Sequence, residues 1–197
     1  MKLERSAIAL AVAAALALPP VVMAQQPPPE KPAKTERQAA DQNKGGLAAA
    51  DRKFVMEVAH GGLAEVELGK LAAEKGSSDA VKQFGKRMAD DHAKASDELK
   101  QFAQQKGLTL PTDLDAKHKQ LRDRLAKLNG VDFDKAYANE MVKDHKKDVA
   151  DFKRQAKSAK DPDLKSWAGK TLPTLEDHLK QAQDMQAQVK SAPRATR

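Results

Sequence analysis

From Ala48 to Val189 the apolar residues recur at alternating spacings of four and three, the mark of helices that each bury one stripe. The first such stretch predicts a helix from about Ala48 to Lys75, with Phe54, Val58, Gly61, Glu65, Leu68 and Ala72 on its inner face and Gly76 as its stop. Ser78 is placed to cap a second helix that runs to Lys106 and ends at Gly107. Its stripe is Val81, Phe84 or Gly85, Met88, His92, Ala95, Leu99 and Phe102. Thr112, just after Pro111, opens a shorter helix through Leu114, Leu121, Leu125 and Leu128, closed by Asn129-Gly130. Asp132 starts a third long helix with Phe133, Tyr137, Met141, His145, Phe152 and Ala156 inside. The fourth opens with Asp161 as cap and Pro162 in the first helical position, then continues through Leu164, Trp167, Ala168, Leu172, Leu175, His178, Ala182 and Val189. Pro173, inside it, cannot donate to Gly169 and is expected to kink the helix just before His178.

Two helical hairpins joined by a longer connection predict an all-α fold over residues 48–190. The expected form is a ferritin-like antiparallel four-helix bundle with an extra short helix in the connection between helices two and three. A weak internal duplication goes with it: Met88-Ala-Asp-Asp91-His92-Ala-Lys94 aligns with Met141-Val-Lys-Asp144-His145-Lys-Lys147.

Each long stretch carries one metal-capable side chain near the middle of its apolar face: Glu65, His92, His145 and His178. Glu65 and His92 stand at nearly equal separations before and after the first hairpin turn at Ser77, and so do His145 and His178 about the second turn at Lys160. At about 1.5 Å rise per residue, each pair is level to within about 5 Å. A carboxylate on an apolar stripe costs several kcal/mol unless it is paired, hydrogen-bonded or metal-bound. Two readings follow. The four side chains bind one divalent ion such as zinc, copper or iron. Alternatively, Glu65 and the histidines form a metal-free buried network that fixes helix register. Asp91 and Asp144 each precede a histidine and point about a hundred degrees away from it, so they are poor co-ligands but can orient a neighbouring ring as hydrogen-bond acceptors. His60 and His118 fall outside the stripes and are expected at the surface.

The carboxylate-histidine pairs of di-iron bundles are absent, because Ala89, Val142 and Leu175 stand three positions before the three histidines. One ion is therefore the most the pattern supports; the sequence nominates no catalytic residue and no other cofactor, and the leading expectation is a non-enzymatic protein.

The segment Met1 to Ala24 reads as a secretory signal peptide: Lys2 and Arg5, an apolar run from Ala7 to Leu18, and Val22-Met23-Ala24 before a cleavage site after Ala24. The run is too short to span a bilayer, which takes about 20 apolar residues. Residues 25–47, rich in Pro and Gln, read as a disordered linker, and residues 191–197 as a disordered tail. There is no cysteine, hence no disulfide framework and no lipidation site after the signal. A bacterial periplasmic location, with an association with the outer envelope open, is the expectation.

Charge adds little. The formal net charge is +7, and removing Lys2, Glu4 and Arg5 with the signal (+2 − 1) leaves +6. Lysines and arginines alternate with acids along the helix faces and no aromatic platform accompanies them, which argues against nucleic acid. Anionic envelope components or a partner protein stay open as an alternative role for these basic faces.

The run Gly62-Leu63-Ala64-Glu65-Val66-Glu67-Leu68-Gly69, then Val81 to Phe84 and Met88 to His92, resembles the bacterial family called domain of unknown function 4142. So do Gly130-Val131-Asp132-Phe133-Asp134 with Tyr137 and His145, and Leu172-Pro173 followed by His178-Leu179. The resemblance covers about residues 48 to 188 and implies a ferritin-like bundle exported to the periplasm or outer envelope. It implies no reaction. The functional expectation is thus an exported helical protein that binds one metal ion, in metal handling or protection of the envelope against stress.

Overall fold

The structure, a computed structural model, describes residues 46–191. Among these it contains five helices and no strand: α1 (Ala49–Lys75), α2 (Asp79–Gln105), α3 (Ala116–Ala126), α4 (Gly130–Ser158) and α5 (Pro162–Ser191). The signal peptide, most of the linker and most of the tail expected from the sequence lie outside the described residues. Leu47, at the end of the expected linker, is already buried against the core.

The helix starts follow their capping chemistry. Ser78 accepts from the Val81 amide at 3.4 Å, and Asp161 Oδ1 accepts from Asp163 and Leu164 at 2.9 and 3.0 Å, as their sequences predict. Two starts differ. The short helix begins at Ala116 rather than Thr112, because Asp115 Oδ1 takes the His118 amide at 2.9 Å. The third long helix begins at Gly130, ahead of Asp132; its φ of 57° is left-handed, which glycine adopts without strain, so the chain turns directly into α4.

Helix α1 packs along α2 and α4 along α5; the two hairpins meet through α2 with α5 and α1 with α4, while α3 lies on α1 and α4. Within the first hairpin the two backbones approach closely at Gly69 and Gly85. A Cβ on Gly69 would stand 2.6 Å from the Gly85 carbonyl oxygen, and one on Gly85 2.7 Å from that of Gly69.

Each hairpin clamps the other's turn. Asp134, on α4, accepts from the Ser77 amide (2.8 Å), the Ser77 hydroxyl (2.7 Å) and the Ser78 amide (2.9 Å) of the α1–α2 turn. Asp51, on α1, accepts from the Lys160 and Asp161 amides of the α4–α5 turn at 2.9 and 2.8 Å. These buried carboxylates satisfy amides that no helix can, and they fix how far one hairpin slides along the other.

The inner face of α1 is broader than the stripe read from its sequence. Val55, Ala59 and Gly62 are buried beside Phe54 and Glu65, while Val58 and Gly61 are half-buried at the rim of a pocket. Trp167, placed on the α5 stripe, is likewise half-buried; its indole donates to Glu98 at 3.0 Å. Helix α5 runs unbroken through Pro173, and Gly169, whose carbonyl loses its usual donor there, is exposed to water.

Apolar packing divides into two clusters. One, towards the α1–α2 turn, includes Leu68, Met88, Val142 and Ala182; the other, towards the α4–α5 turn, includes Ala59, Leu99, Val149 and Leu175. On every long helix the polar residue falls between the two: Glu65 between Ala59 and Leu68, His92 between Met88 and Leu99, His145 between Val142 and Val149, His178 between Leu175 and Ala182.

Candidate metal centre

That polar layer converges. Glu65, His92, His145 and His178 are 5, 7, 0 and 1 % exposed, and the three imidazole centroids lie 5.4 to 5.7 Å apart. One nitrogen from each of His92, His145 and His178 falls in a group whose members all lie within 4.8 Å of one another. A tetrahedral ion with metal–nitrogen bonds near 2.0–2.1 Å holds its nitrogens roughly 3.4 Å apart, so the rings have little more than an ångström to close.

Hydrogen bonds decide which nitrogen each ring offers. His92 Nδ1 lies 2.8 Å from Glu65 Oε2, His145 Nδ1 3.0 Å from the Met141 carbonyl, and His178 Nε2 3.0 Å from Asp91 Oδ2. A carbonyl or a carboxylate only accepts, so each of these nitrogens carries the proton. The remaining three, His92 Nε2, His145 Nε2 and His178 Nδ1, are buried and have no partner. A buried nitrogen without a partner costs free energy on the order of 1–3 kcal/mol, so three in one layer are a standing destabilisation unless something binds them. Imidazoles held by an oxygen on one nitrogen with the other left free are how proteins present histidine to a metal.

The sequence-derived candidates therefore take distinct places. The three histidines come together. Glu65 lies in the same layer, but its Oε2 is engaged by His92, and Oε1 is 3.6 Å from His145 Nδ1 with no hydrogen bond of its own. Asp91 orients a ring, that of His178 on α5 rather than its neighbour His92, and is itself held by Arg87 Nε at 3.2 Å. Arg87 also reaches Asp177 on α5 at 2.8 Å, tying the two helices over the site. Asp144 makes no contact with a ring nitrogen. His60 and His118 are half-buried around Asp115, with His118 Nδ1 at 2.9 Å and His60 Nδ1 at 4.0 Å from its carboxylate, and neither joins the group.

Burial and neighbouring charge set the protonation of the layer. Burial works to raise the Glu65 pKa, but the three imidazoles and the His92 hydrogen bond outweigh it and hold the carboxyl well below the usual range. For His92 burial acts downward, yet the Glu65 charge and hydrogen bond raise it overall. Burial lowers His145 against the pull of Glu65, and lowers His178 to about 4 despite its bond to Asp91. His145 and His178 are thus neutral at pH 7 and ready to coordinate.

A pocket opens beside the layer, with a cavity of about 60 Å³, room for a few waters. His92, His178 and Glu65 line it together with apolar Phe54, Leu99 and Phe152 and with acidic Glu57, Asp148 and Asp151. Asp148 escaped the sequence reading. Burial first, then the Glu65 charge, push its carboxyl up to about 8. A signal for it exists, since Asp148 follows Asp134 at the same spacing at which Glu65 follows Asp51. The two turn-clamping aspartates thus mark Glu65 and Asp148 as counterparts on α1 and α4.

A family model described as "Domain of unknown function (DUF4142)" matches residues 34–185. The chain belongs to the DUF4142 family. The family match takes in all four residues of the polar layer, both turn-clamping aspartates and the pocket. Among solved structures, the chain is similar in fold to the crystal structure of a DUF305 fragment from Deinococcus radiodurans, with a TM-score of 0.63 at 10% identity over 73% of this chain and 99% of that one. A search of curated proteins finds no match. No helix among the described residues is long and apolar enough to cross a membrane.

Proposed function

We propose that this DUF4142 protein is an exported, periplasmic, ferritin-like antiparallel four-helix bundle that binds one divalent metal ion (zinc, copper or iron) through His92, His145 and His178. The single observation that carries the reading is the set of three buried, unpartnered ring nitrogens whose opposite nitrogens are all committed to oxygen acceptors. Glu65, Asp91 and the Met141 carbonyl hold the rings; Glu65 also brings a negative charge that offsets part of the ion's. Three protein ligands leave a coordination position for water or another small ligand. Support for export is the positive, apolar and small-residue order of the segment from Met1 to Ala24.

The metal-free alternative has the 2.8 Å contact between His92 and Glu65 in its favour. It accounts for one imidazole and leaves three ring nitrogens unpaired. An interaction role through the basic faces has less to stand on, because many of the exposed lysines and arginines are paired with acids three or four positions away on their own helix.

The test is metal analysis of the full-length chain expressed in a bacterium and purified from the periplasm without tag or chelator. The expected sample has a mass that starts at Gln25 and carries close to one equivalent of metal. The His92→Ala, His145→Ala double variant should keep the helical signal and lose the metal. A wild-type protein that stays empty after incubation with zinc, copper and iron would overturn the reading.

A further inference from the structure

The pocket beside the three histidines sets acidic side chains among apolar ones, and in charge it is unlike the rest of the molecule. The chain as a whole is basic, at +7. The pocket is lined by five acidic side chains, Glu57, Glu65, Asp91, Asp148 and Asp151, against a single lysine, Lys147. Asp151 and Asp91 already have basic partners on their own helices, Lys147 at 2.8 Å and Arg87 at 3.2 Å. Asp148 has none, and burial, which pushes its carboxyl up to about 8, keeps it largely protonated at pH 7. Three of the residues that line the pocket, His92, His178 and Glu65, are 7, 1 and 5 % exposed, and each carries a buried side-chain atom without a partner. The lining thus combines buried histidines and Glu65 with half-buried Asp91, Asp148 and Asp151 and exposed Glu57. A metal site whose ion is part of the folded framework is closed on all sides. This one has a small cavity at its edge and negative charge along the approach.

We propose that this pocket is the port through which a divalent cation enters and leaves the three-histidine site, so that the ion is an exchangeable cargo of the folded domain. The inference rests on the metal-binding reading above and adds a route, a direction and a kinetic character. The acidic side chains supply oxygens to a cation that sheds its water stepwise, and the summed charge of the ionised ones, Glu57, Glu65, Asp91 and Asp151, raises the local cation concentration over that in solution. Anionic species are repelled by the same charge.

Cobalt(II) is a suitable probe, because its ligand-field absorption reports loading directly. Stopped-flow mixing of the mature chain with Co2+ would be compared in three proteins. Gly61 lines the pocket, and a Cβ there meets nothing within 4 Å, so Gly61→Phe adds a ring at the pocket wall from a position with free space and without replacing a ligand. Glu57→Gln with Asp151→Asn removes charge from the approach. The wild type should load in a salt-dependent step and exchange its cobalt for added Zn2+ while the helical signal is constant. Gly61→Phe should load at least about tenfold more slowly to the same final stoichiometry, and the charge variant should load about tenfold more slowly with a flatter salt dependence. Unchanged rates in both variants would overturn the port, and the charge variant decides alone if Gly61→Phe fails to fold. Cobalt that binds one-to-one but does not exchange over hours would overturn the cargo assignment and leave the metal site standing. A wild type that takes up no cobalt would bring down the three-histidine reading itself, and the port with it.

Discussion

At the scale of single residues, a metal-ready site is distinguished from a satisfied core by where each imidazole keeps its proton. His178 shows the consequence most directly. Its pKa is lowered to about 4 by burial, against an ordinary value of 6.5. In the unfolded chain it takes up a proton near pH 6.5, and in the folded chain not until about pH 4. Its contribution is therefore present above pH 6.5 and lost as pH falls through that window. The shift corresponds to about 3 kcal/mol. His92, raised by Glu65, works the other way and loses its contribution as pH rises past its folded value. In metal-free protein the urea midpoint of the wild type should fall between pH 7 and pH 4.5 more steeply than that of His178→Gln, which keeps a donor for Asp91 but does not titrate. Parallel pH profiles for the two proteins would show that His178 is not held neutral. The three histidines and Glu65 were legible in the sequence because each interrupts an apolar stripe. Their division of labour was not, since periodicity shows that a residue points inward but not which ring nitrogen is occupied or by whom. That Asp91 serves His178 depends on how α2 crosses α5, which no local pattern encodes.

At the scale of elements, the helices were readable nearly end to end, with Ser78 and Asp161 capping where their chemistry predicts. The misplaced starts, Asp115 for Thr112 and Gly130 for Asp132, fall in the connection, where several polar residues compete to take the same free amides. The width of α1's buried face was hidden for a related reason. A helix flanked by α2, α3 and α4 buries more than the single stripe its hydrophobic residues trace. The glycines of α1 test this packing. Gly69 sits against the Gly85 carbonyl, so Gly69→Ala should destabilise the protein by about 1–3 kcal/mol through overpacking, despite alanine's better helix propensity. Gly61 has free space at its Cβ, so Gly61→Ala should be neutral or stabilising by up to about 1 kcal/mol. Chemical denaturation of the two variants checks the contrast, and equal effects would mean that the α1–α2 approach is looser than described.

At the scale of the whole molecule, two hairpins hold each other's turns through Asp51 and Asp134, and their interlock sets the register in which the polar layer forms. The duplication in the sequence relates α2 to α4, whereas the reciprocal clamps relate α1 to α4 and α2 to α5. The three histidines accordingly do not occupy equivalent positions, and the layer is asymmetric: a carboxylate on α1, one imidazole on each of the other long helices, and a pocket along one side. That asymmetry is compatible with the proposed single ion, whereas two equivalent irons would not be served by it. The most direct measurement is diffraction from crystals loaded with Zn2+ or Co2+, recorded on both sides of the metal's absorption edge. A single anomalous peak is expected about 2.0–2.2 Å from His92 Nε2, His145 Nε2 and His178 Nδ1, with a light atom from the pocket completing the shell. Saturated crystals with no peak among those three nitrogens, or with an ion that Glu65 holds in place of one of them, would contradict the account.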